Sequence, residues 1–308
     1  MSKPSIIVIL GPTASGKSAL AVRLATKLDG EIISADSRQV YRGLDIGTAK
    51  IARREMGGVP HHLLDVASPR RVFSVARYQI LARRAIQDIL RRGKFPIICG
   101  GTGQYIDAVL GAAPLPNVPP DPRLRAKLEK LSPAELFTRL KKLDPRRADA
   151  IDRHNPRRLV RALEIVITTG KPVPQAQAAP HQHSNILKNV GMLKILKVGL
   201  FPGGEVLRQR INARLAKDLR RGLIREVKNL HAEGLMWKRL DELGLEYRYV
   251  AKFLRGEIKT KSELETKLQT ELWRYAKRQM TWFKQDINII WLKNPDGAEK
   301  LVRKFLHT

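Results

Sequence analysis

The sequence has one cysteine, few acidic residues and no long apolar run. A lone cysteine, Cys99, excludes internal disulfides and a thiolate-rich zinc site in a chain of 308 residues. Because it lies in the apolar run 96–99, a buried small side chain is favoured over a nucleophile. No apolar stretch reaches the roughly 18 residues of a membrane span, and the run 6–10 is too short for a signal peptide. We therefore expect a soluble, cytoplasmic protein that does not enter the membrane.

The shortage of acidic residues gives the chain a strong positive charge. There are 58 Lys and Arg against 29 Asp and Glu, a formal net charge of +29. The excess is spread along the whole chain and is not confined to a tail. A folded protein that offers a long basic surface to nucleic acid has this pattern, since many phosphate contacts add affinity without reading sequence. The alternative is a generally basic surface suited to the host cytoplasm.

The stretch 11–18 has the spacing of a phosphate-binding loop. It follows the apolar run 6–10 and precedes a helical segment rich in alanine and leucine. In such a loop glycines let backbone N–H groups wrap a phosphate, Lys17 meets its charge, and the Ser18 hydroxyl can hold Mg²⁺. The alternative, an ordinary strand-turn-helix with accidental glycines, fits this context poorly. The predicted diphosphate-binding residues are Gly11, Pro12, Thr13, Ala14, Ser15, Gly16, Lys17 and Ser18.

The remaining pattern predicts an α/β fold. Continuous β-branched runs without alternation are typical of buried parallel strands. We expect a sheet like that of the P-loop NTPases, flanked by helices. The predicted strands are 6–10, 31–34, 96–99, 193–201 and 288–292, and the predicted helices are 17–29, 74–92, about 205–233 and 263–285.

A cluster of five prolines between residues 111 and 122 marks a domain boundary. The pattern from about 123 to 170 is helical throughout, and 171–190 indicates a mobile return loop. We therefore predict a catalytic core of residues 1–112 and 191–308, with an inserted helical domain at 113–190. In that domain Arg157 and Arg161 lie four residues apart with Arg158 beside them. Because close like charges repel when nothing binds them, phosphate contact is favoured over a solvated face.

Further polar groups are predicted at the edge of the sheet that carries the phosphate loop. Asp36 follows the second strand, and the glycine cluster 100–103 follows the strand at 96–99. Open α/β sheets bind ligands at the carboxyl ends of their strands, so both should face the crevice of the phosphate loop. The adjacent His61 and His62 have no third metal ligand nearby, which favours structural or RNA-contact roles.

Motifs along the chain resemble those of the tRNA dimethylallyltransferases, also known as tRNA isopentenyltransferases, of the bacterial type. They occur in the family's order at 11–18, 34–41, 43–50, 61–65, 100–103, 155–158 with 161–164, and 277–283. The resemblance implies transfer of a dimethylallyl group from dimethylallyl diphosphate to N6 of adenosine 37 in tRNA, with release of pyrophosphate. The ligand of the loop would then be a prenyl diphosphate instead of ATP. The lack of a zinc finger before Thr308 favours the bacterial type.

The resemblance also implies roles for single residues. Lys17, Ser18 and Mg²⁺ would bind the leaving pyrophosphate as the allylic C–O bond breaks, and Thr13 would belong to the same catalytic set. Asp36 would act as general base on the N6 amine, with Mg²⁺ binding as its alternative role. Arg214 would bind diphosphate, unless it lies on a solvated helix face. The implied tRNA contacts are Asp36, Ser37, Arg38, Gln39, Thr102, Arg125, Arg157, Arg158, Arg161, Arg278, Gln279 and Trp282.

The implied partners are dimethylallyl diphosphate and the anticodon stem-loop of tRNA, whose target base must leave the stack to react. We expect a monomer.

Three alternative functions remain open. One is an adenylate isopentenyltransferase acting on free AMP or ATP, but such a small substrate does not explain a net charge of +29. A P-loop small-molecule kinase would consume ATP. An RNA-binding module with an inactive loop would bind tRNA without chemistry, although Lys17, Ser18 and Asp36 are all present.

Overall fold

The structure, a computed structural model, describes residues 4–111, 116, 118–174 and 193–307. The chain divides into two compact units, a larger one of Met1–Gly111 with His183–Thr308 and a smaller one of Ala112–Gln182. The division lies close to the boundary predicted at 112 and several residues before the one predicted at 190. The loop predicted for 171–190 lies outside the described residues from position 175 onward.

A parallel sheet forms the centre of the larger unit. In the described part of the chain its strands are β1 (Ser5–Leu10), β2 (Gly30–Ser34), β3 (His61–His62), β4 (Phe95–Gly100), β5 (Lys194–Leu200) and β6 (Ile289–Leu292). They pair in parallel in the order β3-β2-β4-β1-β5-β6. In the middle of the sheet, Ile7 is opposite Ile97 on one side and Leu196 on the other. The predicted parallel sheet is therefore confirmed.

Helices account for most of the remaining described chain. They are α1 (Lys17–Leu28), α2 (Val75–Arg91), α3 (Gly103–Leu110), α4 (Pro122–Leu128), α5 (Pro133–Leu143), α6 (Pro145–Ala150), α7 (Pro156–Thr169), α8 (Gly204–Arg221), α9 (Leu223–Ala232), α10 (Trp237–Glu242), α11 (Leu245–Leu254), α12 (Lys261–Phe283) and α13 (Ala298–His307). The helices predicted at 17–29, 74–92 and 263–285 are confirmed. The prediction of a single helix over 205–233 is wrong. The segment forms two helices, α8 and α9, which are separated at Gly222, and only glycine adopts its φ of 103° without strain.

The absence of alternation in β1 follows from burial on both faces of the sheet. Ile6 and Leu10 join a core formed largely with α2, α8 and α12. Ile7 and Ile9 point the other way, into a core formed with α1 and α13. Because both faces are covered, every residue of β1 is buried. No helix in the described ranges has the length and apolarity to cross a bilayer.

The smaller unit is made of helices α4 to α7 around a core of its own, which contains Leu128, Leu136, Leu140, Leu159 and Leu163. The sequence pattern predicts helix throughout 123–170, whereas the structure has four separate helices. Each of them begins at a proline that follows a capping side chain. Proline suits the first turn of a helix and interrupts a longer one, so the segment divides into four short helices. The capping residues, whose side chains accept backbone N–H bonds, are Asp121, Ser132, Asp144 and Asn155.

A buried carboxylate on β2 ties the sheet to α2. The Glu31 side chain is 2% exposed and binds the Arg92 guanidinium as well as Nε2 of His62, the latter at 2.7 Å. The hydrogen bond from Arg92, supported by His62, lowers the pKa of Glu31 to about 2. His61 Nδ1 contacts the Val59 carbonyl oxygen at 2.8 Å. Both histidines are therefore used in internal contacts, and the described residues contain no cluster of metal-ligating side chains.

Replacing Glu31 with glutamine should weaken the fold in a pH-dependent way. A carboxyl group whose pKa falls on folding stabilises the protein above its ordinary pKa, and that contribution disappears as the pH falls toward the folded value. We expect Glu31→Gln to lower the free energy of unfolding by about 3 kcal/mol near neutral pH, with the difference from wild type shrinking between about pH 4.5 and pH 2. Denaturant unfolding across this range measures it, with the exposed Glu205→Gln as control. A constant difference at every pH would contradict this role for Glu31.

Candidate active site

The phosphate loop connects β1 to α1, as its spacing predicts. Gly16 has a φ of 94° and immediately precedes α1, so the first N–H groups of the helix face the loop. A Cβ at Gly11 would collide with the Leu200 carbonyl oxygen, which explains the glycine at the end of β1. Lys17 Nζ donates to the Pro12 carbonyl oxygen at 3.0 Å. The loop is therefore folded and has its lysine turned back across it.

A cavity of about 610 Å³, open to solvent, lies against this loop. Its lining joins side chains from separate parts of the larger unit. The lining residues are Thr13, Ala14, Gly16, Lys17, Ser18, Ala19, Asp36, Gln39, Thr48, Ala49, Cys99, Gly100 and Arg214. The four predicted catalytic residues, Thr13, Lys17, Asp36 and Arg214, all line this one cavity.

Asp36 is held in the cavity by the turn that follows β2. Its Oδ1 accepts the backbone N–H groups of Arg38 at 2.8 Å and Gln39 at 3.3 Å. Burial lowers the pKa of Lys17, and the nearby Cys99 and Asp36 partly offset that effect. Cys99 is buried, as predicted, and burial raises its pKa to about 11, so its thiol stays protonated near neutral pH. Asp36 and Lys17 thus line the same pocket, in which Arg214 is a further basic group.

The second glycine loop packs directly against the Asp36 turn. Thr102 Oγ1 accepts the Ser37 N–H at 3.1 Å, and the Thr102 N–H donates to the Ala35 carbonyl oxygen at 3.1 Å. A Cβ at Gly100 would overlap the backbone of Ala35. The two segments therefore share one edge of the sheet, as the sequence predicts, and glycine is needed for their approach.

Helix α8 brings Arg214 to the phosphate loop. Its Nη1 donates to Thr13 Oγ1 at 2.6 Å, so the alternative of a solvated helix face is wrong. Asp218 and Glu246 each lie 3.8 Å from other guanidinium nitrogens of Arg214. Burial raises the pKa of both carboxyl groups, and the charge of Arg214 opposes this. Arg214 is therefore aimed at the loop, with two carboxylates behind it.

Arg210 is a second contact of α8 that the sequence analysis missed. Its Nη1 donates to the Ser15 carbonyl oxygen at 3.3 Å. Its spacing from Arg214 could have predicted this contact, because the two arginines are four residues apart and residues four apart share one helix face. Helix α8 therefore contacts the phosphate loop at two successive turns.

Glu226 on α9 holds the loop 43–50, another contact that the sequence did not reveal. Its carboxylate accepts the backbone N–H groups of Asp45 at 3.2 Å, Ile46 at 2.7 Å and Gly47 at 3.1 Å. The Tyr247 hydroxyl donates to it at 2.7 Å. Since Thr48 and Ala49 line the cavity, this carboxylate fixes one of the cavity walls.

Removing the Glu226 carboxylate should therefore loosen the loop 43–50. We expect Glu226→Ala to raise amide hydrogen exchange at Asp45, Ile46 and Gly47 by at least about tenfold, because three N–H groups lose their acceptor. Tyr247→Phe, which removes one hydrogen bond from the same carboxylate, is the matched control and should change these amides far less. Unchanged protection in Glu226→Ala would show that other contacts hold the loop.

Helix α12 presents three of the predicted tRNA contacts in different surroundings. Arg278 is exposed, with its guanidinium 5.9 Å from the centre of the Tyr275 ring. Trp282 is 40% exposed and donates its indole N–H to Asp107 at 2.9 Å. Gln279 is different, because it is buried and its amide binds the backbone of both glycine-containing loops. In this structure Gln279 faces the phosphate loop and not the solvent.

Four more of the predicted tRNA contacts lie in the smaller unit. Arg157 and Arg158 are exposed on α7. Arg125 and Arg161 both bind Glu164, which is fully buried, with Arg125 Nη2 at 2.7 Å. Burial opposes ionisation of Glu164, but these hydrogen bonds outweigh it and lower its pKa to about 2. Arg161 therefore has a carboxylate partner within the fold, so its closeness to Arg157 does not by itself indicate a phosphate contact, and the contact of both arginines with tRNA stays a prediction.

The larger unit has the fold and site of a phosphate-loop α/β enzyme, in which a carboxylate and an arginine face the loop. The family model described as IPP transferase matches residues 39–286. A tRNA dimethylallyltransferase of Anoxybacillus flavithermus is 42% identical over 98% of this chain and 95% of its own length. A tRNA dimethylallyltransferase 2 of Trichlorobacter lovleyi is 44% identical over 96% and 93%.

Solved structures agree with these relatives. A tRNA isopentenylpyrophosphate transferase of Bacillus halodurans superposes with a TM-score of 0.72 at 37% identity, over 99% of this chain and 97% of that chain. A eukaryotic dimethylallyltransferase, studied acting on tRNA, gives 0.74 at 30% identity over 94% and 74%. The chain therefore belongs to the IPP transferase family, which confirms the family and the prenyl-transferring enzyme class that the motifs indicate.

Proposed function

We propose that this protein transfers a dimethylallyl group from dimethylallyl diphosphate to N6 of adenosine 37 in tRNA and releases pyrophosphate. The observation that carries the proposal is the convergence of Lys17, Asp36 and Arg214 on one cavity, in a chain of this family. Its curated relatives are named tRNA dimethylallyltransferases. Since tRNA would be the acceptor, we place the enzyme in the cytoplasm. One chain supplies the whole cavity, so a monomer would suffice.

The donor diphosphate would lie against the phosphate loop. The loop N–H groups, the Lys17 ammonium and the Arg214 guanidinium would bind its oxygens and offset the negative charge that grows as the C–O bond breaks. The Ser18 hydroxyl and the Asp36 carboxylate are oxygen donors in the same cavity, a set that suits Mg²⁺ when the diphosphate supplies further oxygens. When bound there, Mg²⁺ would neutralise part of the charge on the leaving pyrophosphate.

The acceptor amine would approach Asp36. In the reaction the N6–carbon bond forms, the carbon–oxygen bond breaks with its electron pair leaving on pyrophosphate, and one amine proton is lost. Both backbone hydrogen bonds of Asp36 use Oδ1, which leaves Oδ2 to take that proton. The turn therefore holds the carboxylate in place through one oxygen and leaves the other for the amine proton.

Changing Asp36 to asparagine should separate chemistry from binding. Asparagine keeps the oxygen that accepts the turn hydrogen bonds but cannot take a proton. We expect kcat to fall by about 10²- to 10⁴-fold while the Kd for tRNA stays close to that of wild type. Single-turnover kinetics and filter binding measure the two quantities, with the exposed Asp296→Asn as control. Near-normal turnover in Asp36→Asn would remove Asp36 as the base.

The smaller unit would contact tRNA through its exposed arginines. Replacing both Arg157 and Arg158 by alanine should weaken tRNA binding and lower the slope of log K against log salt by about one for each phosphate that the variant no longer neutralises. Lys141→Ala with Lys142→Ala on α5 is the matched control, because it removes the same charge from exposed positions of the same unit. Equal changes in both pairs would assign the effect to overall charge.

One assay distinguishes the proposed reaction from its alternatives. In separate reactions, the protein is incubated with dimethylallyl diphosphate, Mg²⁺ and either unmodified tRNA, AMP or ATP. The products are examined by mass spectrometry, the tRNA after digestion to oligonucleotides that retain the position of the modified base. Prenylated adenosine at position 37 is the expected product. Prenylation of free AMP without tRNA would indicate an adenylate isopentenyltransferase, and ATP consumption without a prenylated product would indicate a kinase. Binding of tRNA without any product would indicate a binding module.

A further inference from the structure

A single buried side chain on α12 connects the two loops of the proposed donor site. Gln279 is 7% exposed. Its Oε1 accepts the Thr13 N–H at 2.9 Å, and its Nε2 donates to the Gly101 carbonyl oxygen at 2.8 Å. A primary amide offers an acceptor and a donor on one planar group, so Gln279 can satisfy a backbone N–H and a backbone carbonyl together.

Thr13 is hydrogen-bonded to both Gln279 and Arg214. The Thr13 backbone N–H is taken by Gln279, while its hydroxyl accepts from Arg214 Nη1 at 2.6 Å. Asp218 and Glu246 are more distant from this guanidinium, at 3.8 Å. The shortest of these contacts to Arg214 therefore comes from a residue whose main chain is held by Gln279.

Gly101 lies in close contact with the Gln279 amide. A Cβ at Gly101 would collide with the amide nitrogen of Gln279. Gly101 is not among the described glycines with positive φ, so alanine is compatible with its backbone conformation. A methyl group at position 101 would therefore displace the Gln279 amide.

We infer that Gln279 is a positioning residue of the diphosphate site, which joins the phosphate loop to the glycine loop 100–103 and thereby fixes Thr13 and Arg214. It acts through these residues and touches no reacting atom. The inference rests on the proposed function only in taking diphosphate as the ligand of the loop. It replaces the RNA contact that the sequence implies for Gln279.

The first test compares two substitutions at Gln279. Gln279→Met keeps the length and apolar contacts of the side chain but removes both hydrogen bonds, and Gln279→Asn keeps the amide on a shorter side chain. We expect Gln279→Met to weaken binding of Mg²⁺-pyrophosphate by about tenfold or more in calorimetry, with an unchanged Kd for tRNA. The KM for dimethylallyl diphosphate should rise while the KM for tRNA does not. Gln279→Asn should restore part of the loss.

Weaker tRNA binding with unchanged pyrophosphate affinity in Gln279→Met would overturn the inference and make Gln279 an RNA contact. If pyrophosphate binding is normal in wild type and reduced in Gln279→Met, but wild type prenylates no tRNA, the inference stands and the proposed acceptor fails. A wild-type protein that binds no pyrophosphate would overturn both. Thermal unfolding of each variant confirms that the fold is retained.

The second test is a double-mutant cycle between Gly101 and Gln279. We expect Gly101→Ala and Gln279→Ala each to weaken pyrophosphate binding by about tenfold, because each removes the same amide contact. The double variant should bind no more weakly than either single variant, since truncation of Gln279 makes room for the new methyl group. Losses that multiply in the double variant would show that the two positions act independently and would contradict the inference.

Discussion

The parallel pairing of β1 with β4 on one side and β5 on the other determines where the loops of the candidate active site lie. Parallel strands end at the same edge of a sheet, so the phosphate loop after β1, the Asp36 turn after β2 and the glycine loop after β4 must meet there. Their backbones approach so closely that Gly11 and Gly100 have no room for a Cβ. The cavity is a consequence of this packing.

Two helices then hold the assembled edge from outside the sheet. Helix α8 contacts the phosphate loop through Arg210 and Arg214, and α12 contacts the same loop through Gln279. The loop is therefore fixed at Thr13 and Ser15 before any ligand arrives. A site organised in this way loses little entropy on binding a diphosphate, and its charges already face the place where negative charge develops.

The few acidic residues of this basic protein have specific structural uses. Glu31 neutralises Arg92 beside the sheet, Glu164 binds two arginines in the smaller unit, and Glu226 binds three backbone N–H groups of the cavity wall. Each of these carboxylates satisfies groups that would otherwise be unpaired, and unpaired buried polar groups are costly.

The sequence predicts the sheet, the phosphate loop and the place of Asp36, because these depend on local spacing and on the rule that parallel strands share an edge. It does not reveal Glu226 or the role of Gln279, whose partners lie 179 and 266 residues away along the chain. No local pattern distinguishes such side chains from other polar positions on amphipathic helices. Glu164 could have been recognised as a partner of Arg161, since it lies three residues further along the same helix. Without it the charge of Arg161 is misread. Gly222 could have been recognised as a break, since glycine commonly ends a helix.

On the proposed function, the phosphate loop holds the diphosphate of a prenyl donor. A crystal structure of the protein with Mg²⁺ and pyrophosphate tests this most directly. We expect pyrophosphate in the cavity lined by Lys17, Ser18 and Arg214, where Ser18 would be among the residues that hold the metal ion. Pyrophosphate bound elsewhere, with the loop cavity empty, would contradict the account.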